Sequence, residues 1–449
     1  MREIVLHDTL SGELKPLLPR DPGRVGVYAC GPTVYSRIHI GNARPFVLFS
    51  LLKRFLEHEG YDVNLVINVT DVNDKIYDAA RAQERQSAEL AAEMTDRYRA
   101  DTEALGLGRP DHEPLASDTM AEIIDYIQTL VERGHAYEAG GDVYFRVRSD
   151  PDYGTLSHRQ LENMDQGEDI DGAARKEDPL DFALWKAHKP GEDTLWESPW
   201  GPGRPGWHIE CSAMAERFLG VGFDIHGGGS DLVFPHHENE AAQTRAARSS
   251  ELARLWVHNG MIQLTGEKMA KSQGNIAPLH EVLAEYGPQA VLMYLISGHY
   301  RHPLAFSDAA LEQAQANVSR IREAGRRLSA GESPAELEGL RDAFFDALAH
   351  DFNTAQALAT LNEWIREATG PRWEAPGDAH LREMLGVLGL ESLLAPAEQA
   401  PAEVRELAEQ RERARGERDF AAADGLRERI AALGWEVRDG AGGFELLPL

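Results

Sequence analysis

The tetrapeptide His39-Ile40-Gly41-Asn42 follows an apolar segment and opens a helical one. A helix start offers unpaired N–H groups and a partial positive charge, so imidazole and amide donors there suit phosphate oxygens, and Gly41 lets a ligand approach the backbone. A cationic group, Lys268-Met269-Ala270-Lys271-Ser272, stands between Gly266 and Gly274. Two ammonium groups and a hydroxyl on a glycine-flanked loop can close over a triphosphate and neutralise charge developing on pyrophosphate. Singly, the first pattern is more often turn chemistry and the second a solvated basic loop. Together they describe the two sides of an ATP site.

A third group has the chemistry of metal ligands. In His236-His237-Glu238-Asn239-Glu240, read as the first turns of a helix, His236 and Glu240 share one face. Cys211, in Trp207-His208-Ile209-Glu210-Cys211, and Cys30, at the end of the first apolar strand, are the only two cysteines. Two thiolates, an imidazole and a carboxylate make a tetrahedral zinc set. The alternative is that the cysteines pack as small hydrophobes and the acids form a solvated helix start. Ligands this dispersed leave the two readings level.

These groups need a scaffold. Residues 24–30 are β-branched and apolar and stop at Gly31-Pro32, as a strand does; Pro45 in a first helical turn, then Phe46, Val47, Phe49, Leu52 and Phe55, predicts a helix to about Gly60. Residues 63–69 form a second buried strand, which completes a βαβ unit and implies a parallel sheet with ligands at the carboxyl ends of its strands. A long polar helix is expected over 74–105, an amphipathic one over 122–134, and a strand over 142–147. The turn-rich stretch 149–206 reads as an insertion, and sheet patterning resumes at 223–226 and 256–259. Beyond Leu279 the pattern is helical, with a stripe of Ala357, Leu358, Leu361, Trp364 and Ile365 stopped at Gly370-Pro371. A linker over 395–401 leads to a terminal helical hairpin with a short strand-like tail around Trp435.

Composition narrows the class. The chain has 449 residues, 42% apolar and 27% charged, which is ordinary for a folded chain of about three domains and excludes disorder and collagen-like repeats. It contains no run approaching the roughly 18 apolar residues of a membrane span. Glu3 and Asp8 stand where a secretion signal would continue apolar, so a cytoplasmic protein without membrane association is expected. With 46 Lys+Arg against 74 Asp+Glu, a net charge of −28, any polyanion must meet a local basic patch.

The motifs in combination resemble one family. Cys30-Gly31-Pro32-Thr33-Val34-Tyr35, His39-Ile40-Gly41-Asn42-Ala43-Arg44-Pro45, Asn68-Val69-Thr70-Asp71-Val72-Asn73-Asp74-Lys75-Ile76, Asp181-Phe182-Ala183-Leu184-Trp185-Lys186, Gly206-Trp207-His208-Ile209-Glu210-Cys211-Ser212, His226-Gly227-Gly228-Gly229-Ser230-Asp231-Leu232 and the Lys268 loop are similar to those of class I cysteinyl-tRNA synthetases, over nearly the whole chain and less so after Pro396. The resemblance implies a Rossmann-type catalytic domain split by an inserted module, then a helical bundle and a small α+β module. The divisions expected are 1–120 and 206–278 for the catalytic halves, 121–205 for the insertion, 279–395 for the stem-contact region and anticodon-binding bundle, and 396–449 for anticodon recognition. It also implies one Zn2+ per chain on Cys30, Cys211, His236 and Glu240, and ATP with Mg2+ held by His39, Gly41, Asn42, Lys268, Lys271 and Ser272, of which His39, Asn42, Lys268 and Lys271 act in catalysis. Substrate L-cysteine is expected near Thr70, Trp207 and Asp231, and the second substrate is tRNA(Cys), bound by a monomer. Asn42 and Ala270 depart from the family's second histidine and middle serine.

For the tRNA, Arg411, Arg415 and Arg418 are read as one helix face, Arg320, Arg322, Arg326 and Arg327 as a second cluster, and Trp435 as a stacking platform. Pairing with Glu412 and Glu417, or Trp435 closing a small core, is the competing reading. The rival functions are a cysteine ligase with an amino-sugar acceptor and a catalytically silent RNA-binding relative. A zinc hydrolase would want H-E-x-x-H order, which residues 236–240 lack.

Overall fold

The computed structural model describes residues 2–164, 175–264, 267–268, 277–395, 400–440 and 443–448, in two units, Met1–Leu393 and Leu394–Leu449. The first unit opens with an antiparallel hairpin, β1 (Val5–Asp8) and β2 (Glu13–Pro16), which the sequence patterning did not reveal. Then come β3 (Arg24–Ala29), α1 (Ile40–His58) and β4 (Asp62–Ile67). Pro45 falls in the second turn of α1 rather than the first, because the helix begins at Ile40.

The long helix expected over 74–105 is two helices, α2 (Asp74–Ala82) and α3 (Ser87–Glu103). The chain turns at Glu84, which is left-handed (φ 53°), and the start of α3 is held from far away: Ser87 N donates to Asp193 Oδ2 at 2.6 Å. A cap 106 residues distant leaves no local trace.

After α4 (Met120–Glu132) the inserted strands β5 (Ala136–Ala139), β6 (Asp142–Phe145), β7 (Phe182–Ala187) and β8 (Gly203–Pro205) form an antiparallel sheet in that order. The chain then returns through α5 (Trp207–Leu219), β9 (Phe223–Gly229), α6 (Glu238–Arg248) and β10 (Ala253–Asn259) to a parallel sheet ordered β10-β9-β3-β4. Strand order reverses between β9 and β3, the switch point at which α/β sheets open a ligand crevice. One buried cluster joins Ile123, Ile127, Phe145 and Trp185 of the insertion to Ile209 and Ala213 of α5 and Ala242 and Ala246 of α6. Polar ties run alongside: Lys186 Nζ lies 2.9 Å from Asp74 Oδ2, Arg204 pairs with Asp74 and lies 3.1 Å from Glu192, and Tyr77 Oη lies 2.7 Å from Thr194 Oγ1. The first turn of α2 is therefore fastened to the inserted sheet.

A small sheet of β11 (Ile262–Leu264), β12 (Glu267–Lys268) and β13 (Leu304–Phe306) follows, the last strand interrupting the α7 (Leu279–Tyr286), α8 (Pro288–Leu295) and α9 (Asp308–Arg326) series. The bundle continues with α10 (Glu338–Ala349), α11 (Thr354–Ala368) and α12 (Ala379–Val387). The apolar stripe of α11 is buried throughout. The second unit has α13 (Ala402–Gly416), α14 (Phe420–Ala432) and a hairpin, β14 (Trp435–Gly440) with β15 (Gly443–Pro448), in place of a single tail strand. Among the described residues no helix is long and apolar enough to cross a membrane.

Candidate metal centre and nucleotide cleft

Where the parallel strands end, a cleft of about 700 Å³ is lined by Cys30, Tyr35, His39, Asn42, Trp207 and Asp231 among others. His39 is the N-cap of α1: its Nδ1 accepts from Gly41 N at 3.0 Å, and Asn42 Oδ1 accepts from His39 N at 3.2 Å, closing a capping box. With Nδ1 an acceptor, the neutral imidazole carries its proton on Nε2, the nitrogen that can donate to a phosphate oxygen. Gly41 serves a different purpose from the one the sequence suggested. A Cβ there would lie 2.8 Å from the His39 ring, so glycine is what lets the imidazole fold over its own helix start. Asn42, the departure from the family's histidine, supplies the cap with an acceptor.

Lys268 pairs through its backbone with Gln263 in the small sheet, while Lys271 and Ser272 lie outside the described residues. The chain resumes beside the cap: Ile40 N donates to Ala277 O at 3.0 Å and Leu279 N to Ile38 O at 3.0 Å.

Behind the cleft wall, of which Cys30 is part, buried donors gather. Ligand atoms of Cys30, Cys211, His236 and Glu240, all buried, lie within 4.8 Å of one another. Cys30 follows β3 and hydrogen-bonds Gly227 O through its N–H at 3.0 Å; Cys211 is on α5; Glu240 is in the first turn of α6. His236 precedes α6 rather than belonging to it, since Phe234 is extended, yet its Nε2 still lies 3.1 Å from Glu240 Oε1. That Nε2 has no hydrogen-bond partner. Its other ring nitrogen lies 2.9 Å from His208 Nδ1, and its face stacks on Trp207 at 4.2 Å. A buried imidazole nitrogen aimed at two thiols and a carboxylate, its opposite nitrogen oriented by a neighbour, fits a zinc ligand.

Burial biases these groups toward neutrality. It pushes the Cys30 thiol and the Glu240 carboxyl up and the His236 imidazole well down. At Cys211 the Cys30 contact favours the thiolate but is outweighed by burial and by Glu240 and Glu210. A divalent cation inverts this order, because it favours thiolate and carboxylate over their protonated forms.

Cys30 and Glu240 also belong to a second quartet, with His226 and His237. There the ring nitrogens are engaged: His226 Nε2 lies 3.0 Å from Glu240 Oε2, and His237 Nε2 lies 3.3 Å from Cys30 Sγ and, across the ring, Nδ1 lies 2.7 Å from His258 Nε2. These histidines and His208 were not singled out in the sequence. The available signal was density, five of the chain's 17 histidines falling within 208–258.

His258 is buried and pushed down to about 3, chiefly by burial. Its folded value lies below the unfolded one near 6.5, so the unfolded chain binds the extra proton in between, and this contribution to stability is full above about 6.5 and lost as pH falls through the window toward 3. Urea unfolding at pH 7 and pH 5 should therefore show a fall that is shallower in His258→Gln, by up to about 1.4 kcal/mol per pH unit. Equal falls in both proteins would refute the buried neutral imidazole.

Trp207 and Asp231 line the cleft, but Thr70 is only 1% exposed and stands behind its wall, its N–H donating to Pro32 O at 3.1 Å. The C-terminal set needs correction. Arg411 is 6% exposed and Trp435 7%, the latter packed with Val404, Leu407, Ile430 and Val437, so the indole closes a small core instead of presenting a stacking face. Arg418 lies past the end of α13 in a left-handed conformation (φ 60°), off the helix face it was assigned to. Arg320, Arg322, Arg326 and Arg327 are exposed at the end of α9, with Arg326 3.4 Å from Glu323.

Comparisons agree with this geometry. Residues 16–316 match the family model described as tRNA synthetases class I (C) catalytic domain. The chain is 44% identical to the cysteine–tRNA ligase of Symbiobacterium thermophilum, over 97% of this chain and 98% of that one, and 42% identical to the cysteine–tRNA ligase of an Exiguobacterium species, over 98% of each. Its fold is shared by methionyl-tRNA synthetase of Mycobacterium tuberculosis bound to methionyl-adenylate, with TM-score 0.61 and 16% identity over 83% of this chain and 89% of that one.

Proposed function

Because the chain belongs to the cysteine–tRNA ligase family of class I aminoacyl-tRNA synthetases, we propose that the cleft joins L-cysteine to tRNA(Cys) at the expense of ATP. A carboxylate oxygen of cysteine attacks the α-phosphorus of ATP, the bond to the bridging oxygen breaks, and pyrophosphate leaves. The terminal ribose 2′-hydroxyl of the tRNA then attacks the cysteinyl-adenylate carbonyl and AMP leaves. Neither step needs a protein nucleophile, so catalysis is positioning and charge stabilisation. His39 Nε2 and the Asn42 amide face the phosphates at the start of α1; Lys268, Lys271 and Ser272 act on the leaving pyrophosphate, where Mg2+ brought with ATP would add further neutralising charge.

The observation that carries the reading is the convergence of Cys30, Cys211, His236 and Glu240, with Cys30 lining the same cleft as His39. A single Zn2+ held there would favour a substrate thiolate over an alcohol. Trp207 and Asp231 orient the amino acid, with Thr70 supporting the wall. Residues 279–395 meet the stem of the tRNA and 396–449 its anticodon, where Arg415 remains a candidate contact, and the protein works as a cytoplasmic monomer.

The test is cysteine-dependent ATP–pyrophosphate exchange followed by transfer of labelled cysteine to unfractionated tRNA. Both reactions are expected, with serine at least about 10⁴-fold poorer than cysteine. Exchange without transfer would overturn the tRNA reading, and absence of both would overturn the activity.

A further inference from the structure

Lys75 is unexplained by the activation chemistry. The chain contains only eight lysines, and Lys75 is the one that lines the cleft outside the Lys268 loop. Lys15, Lys53 and Lys186 each lie within 2.9 Å of a carboxylate, whereas Lys75 is exposed and has no ion-pair partner among the described residues. It also occupies the first turn of α2, behind the Asn73 cap, where the helix dipole disfavours a cation. A cation set against the local electrostatics with no carboxylate beside it among the described residues marks a position suited to an anionic ligand.

Its surroundings say which ligand. Lys75 Nζ stands 5.8 Å over the ring of Tyr35, and that ring also lines the cleft. An aromatic ring beside an ammonium group is the unit that holds single-stranded nucleic acid, the ring taking a base and the cation a phosphate. The pair approaches the cleft from the inserted sheet, because Asp74, the preceding residue, is bound by Lys186 and Arg204. The phosphate cap lies elsewhere on the wall, with His39 bridged to Pro278 beside the end of the Lys268 loop. In the reading above the ATP phosphates lie at the His39 cap, which leaves the Tyr35 and Lys75 side of the cleft for the polynucleotide.

Resting on the reading of the preceding section, we infer that Tyr35 and Lys75 seat the single-stranded 3′ end of the tRNA, the ring stacking a terminal base and the ammonium binding its phosphate, so that they position the acceptor for transfer. Both are positioning residues for the second step. Asp74 serves them by fixing the first turn of α2 to the inserted sheet.

The experiment compares wild type with Lys75→Met, Lys75→Arg, Tyr35→Leu and Tyr35→Phe, reading exchange with cysteine and pyrophosphate alongside single-turnover transfer from preformed cysteinyl-adenylate to tRNA. For Lys75→Met the ratio of transfer to exchange should fall tenfold or more, with the tRNA KM raised and its salt dependence shallower by about one counterion. Lys75→Arg should restore transfer to within about threefold, Tyr35→Leu should fall with Lys75→Met, and Tyr35→Phe should not. Equal losses of exchange and transfer would put Lys75 on the ATP phosphates, and an unchanged ratio would make it a solvated residue; either overturns the inference. Wild type that fails exchange altogether would instead sink the activity assigned above.

Discussion

Serine in place of Cys211 is expected to strip the purified protein of stoichiometric zinc and to lower cysteine-dependent pyrophosphate exchange by about 10³-fold or more. The donor set requires anionic sulfur: a thiol ionises near pH 8.5 and lower beside a cation, while an alcohol ionises many units higher, and each unit is about 1.4 kcal/mol. A buried hydroxyl at 211 would keep its proton and leave Cys30, His236 and Glu240 one ligand short. The fold should survive, because serine occupies nearly the same volume in a site only 1% exposed, next to Tyr28 and Cys30. Metal analysis and the exchange assay decide it, and unchanged values for both would refute the metal assignment. His237→Gln separates the two overlapping quartets. As a neighbour that orients Cys30, it should weaken zinc binding only about 10–100-fold. If His237→Gln abolishes zinc while Cys211→Ser retains it, the ion belongs to the second quartet.

Gly31→Ala should be nearly as damaging without touching any donor atom. A Cβ at Gly31 would lie 1.7 Å from the backbone oxygen of Asn68, and the Gly31 N–H already donates to Asn68 Oδ1 at 3.0 Å. The two atoms that Cβ would strike first, the Asn68 carbonyl oxygen and carbon, are backbone, so the segment after β3 must part from the segment after β4 by more than about 1 Å, which in a positioned site costs roughly 10²-fold in rate. Cys30 sits on one side of that seam and Thr70 on the other. A stability loss of about 1–3 kcal/mol is expected from the overpacking. Gly339→Ala is the control, since a Cβ there meets nothing within 4 Å. Wild-type exchange in Gly31→Ala would show that the seam does not register the site.

How much of this was legible depended on whether the cause of a feature was local. The βαβ unit and the bundle stripe follow from apolar periodicity, which survives in a single sequence because burial enforces it residue by residue. The candidate phosphate and metal residues were legible by their types, and the resemblance joined donors as distant as Cys30 and Glu240. What escaped depended on partners far along the chain. The break between α2 and α3 is fixed by Asp193, and the histidines around Glu240 acquire meaning only when strand ends converge. Arg411 and Trp435 were misread for another reason: α13 is highly charged, so its pattern did not reveal that the small second unit needs Trp435 to fill its interior.

The pairing of β3 with β9 joins Val27 to Ile225, and Cys30 reaches Glu240 across 210 residues. On a ribosome adding about 5–20 residues per second, the partners of Cys30 emerge some 10–40 s after it does. Throughout that interval the nascent chain carries a lone reactive sulfur and an unfinished sheet edge. Holding that thiol reduced and that edge unpaired during synthesis falls to the cell's reductants and chaperones, until α6 leaves the exit tunnel.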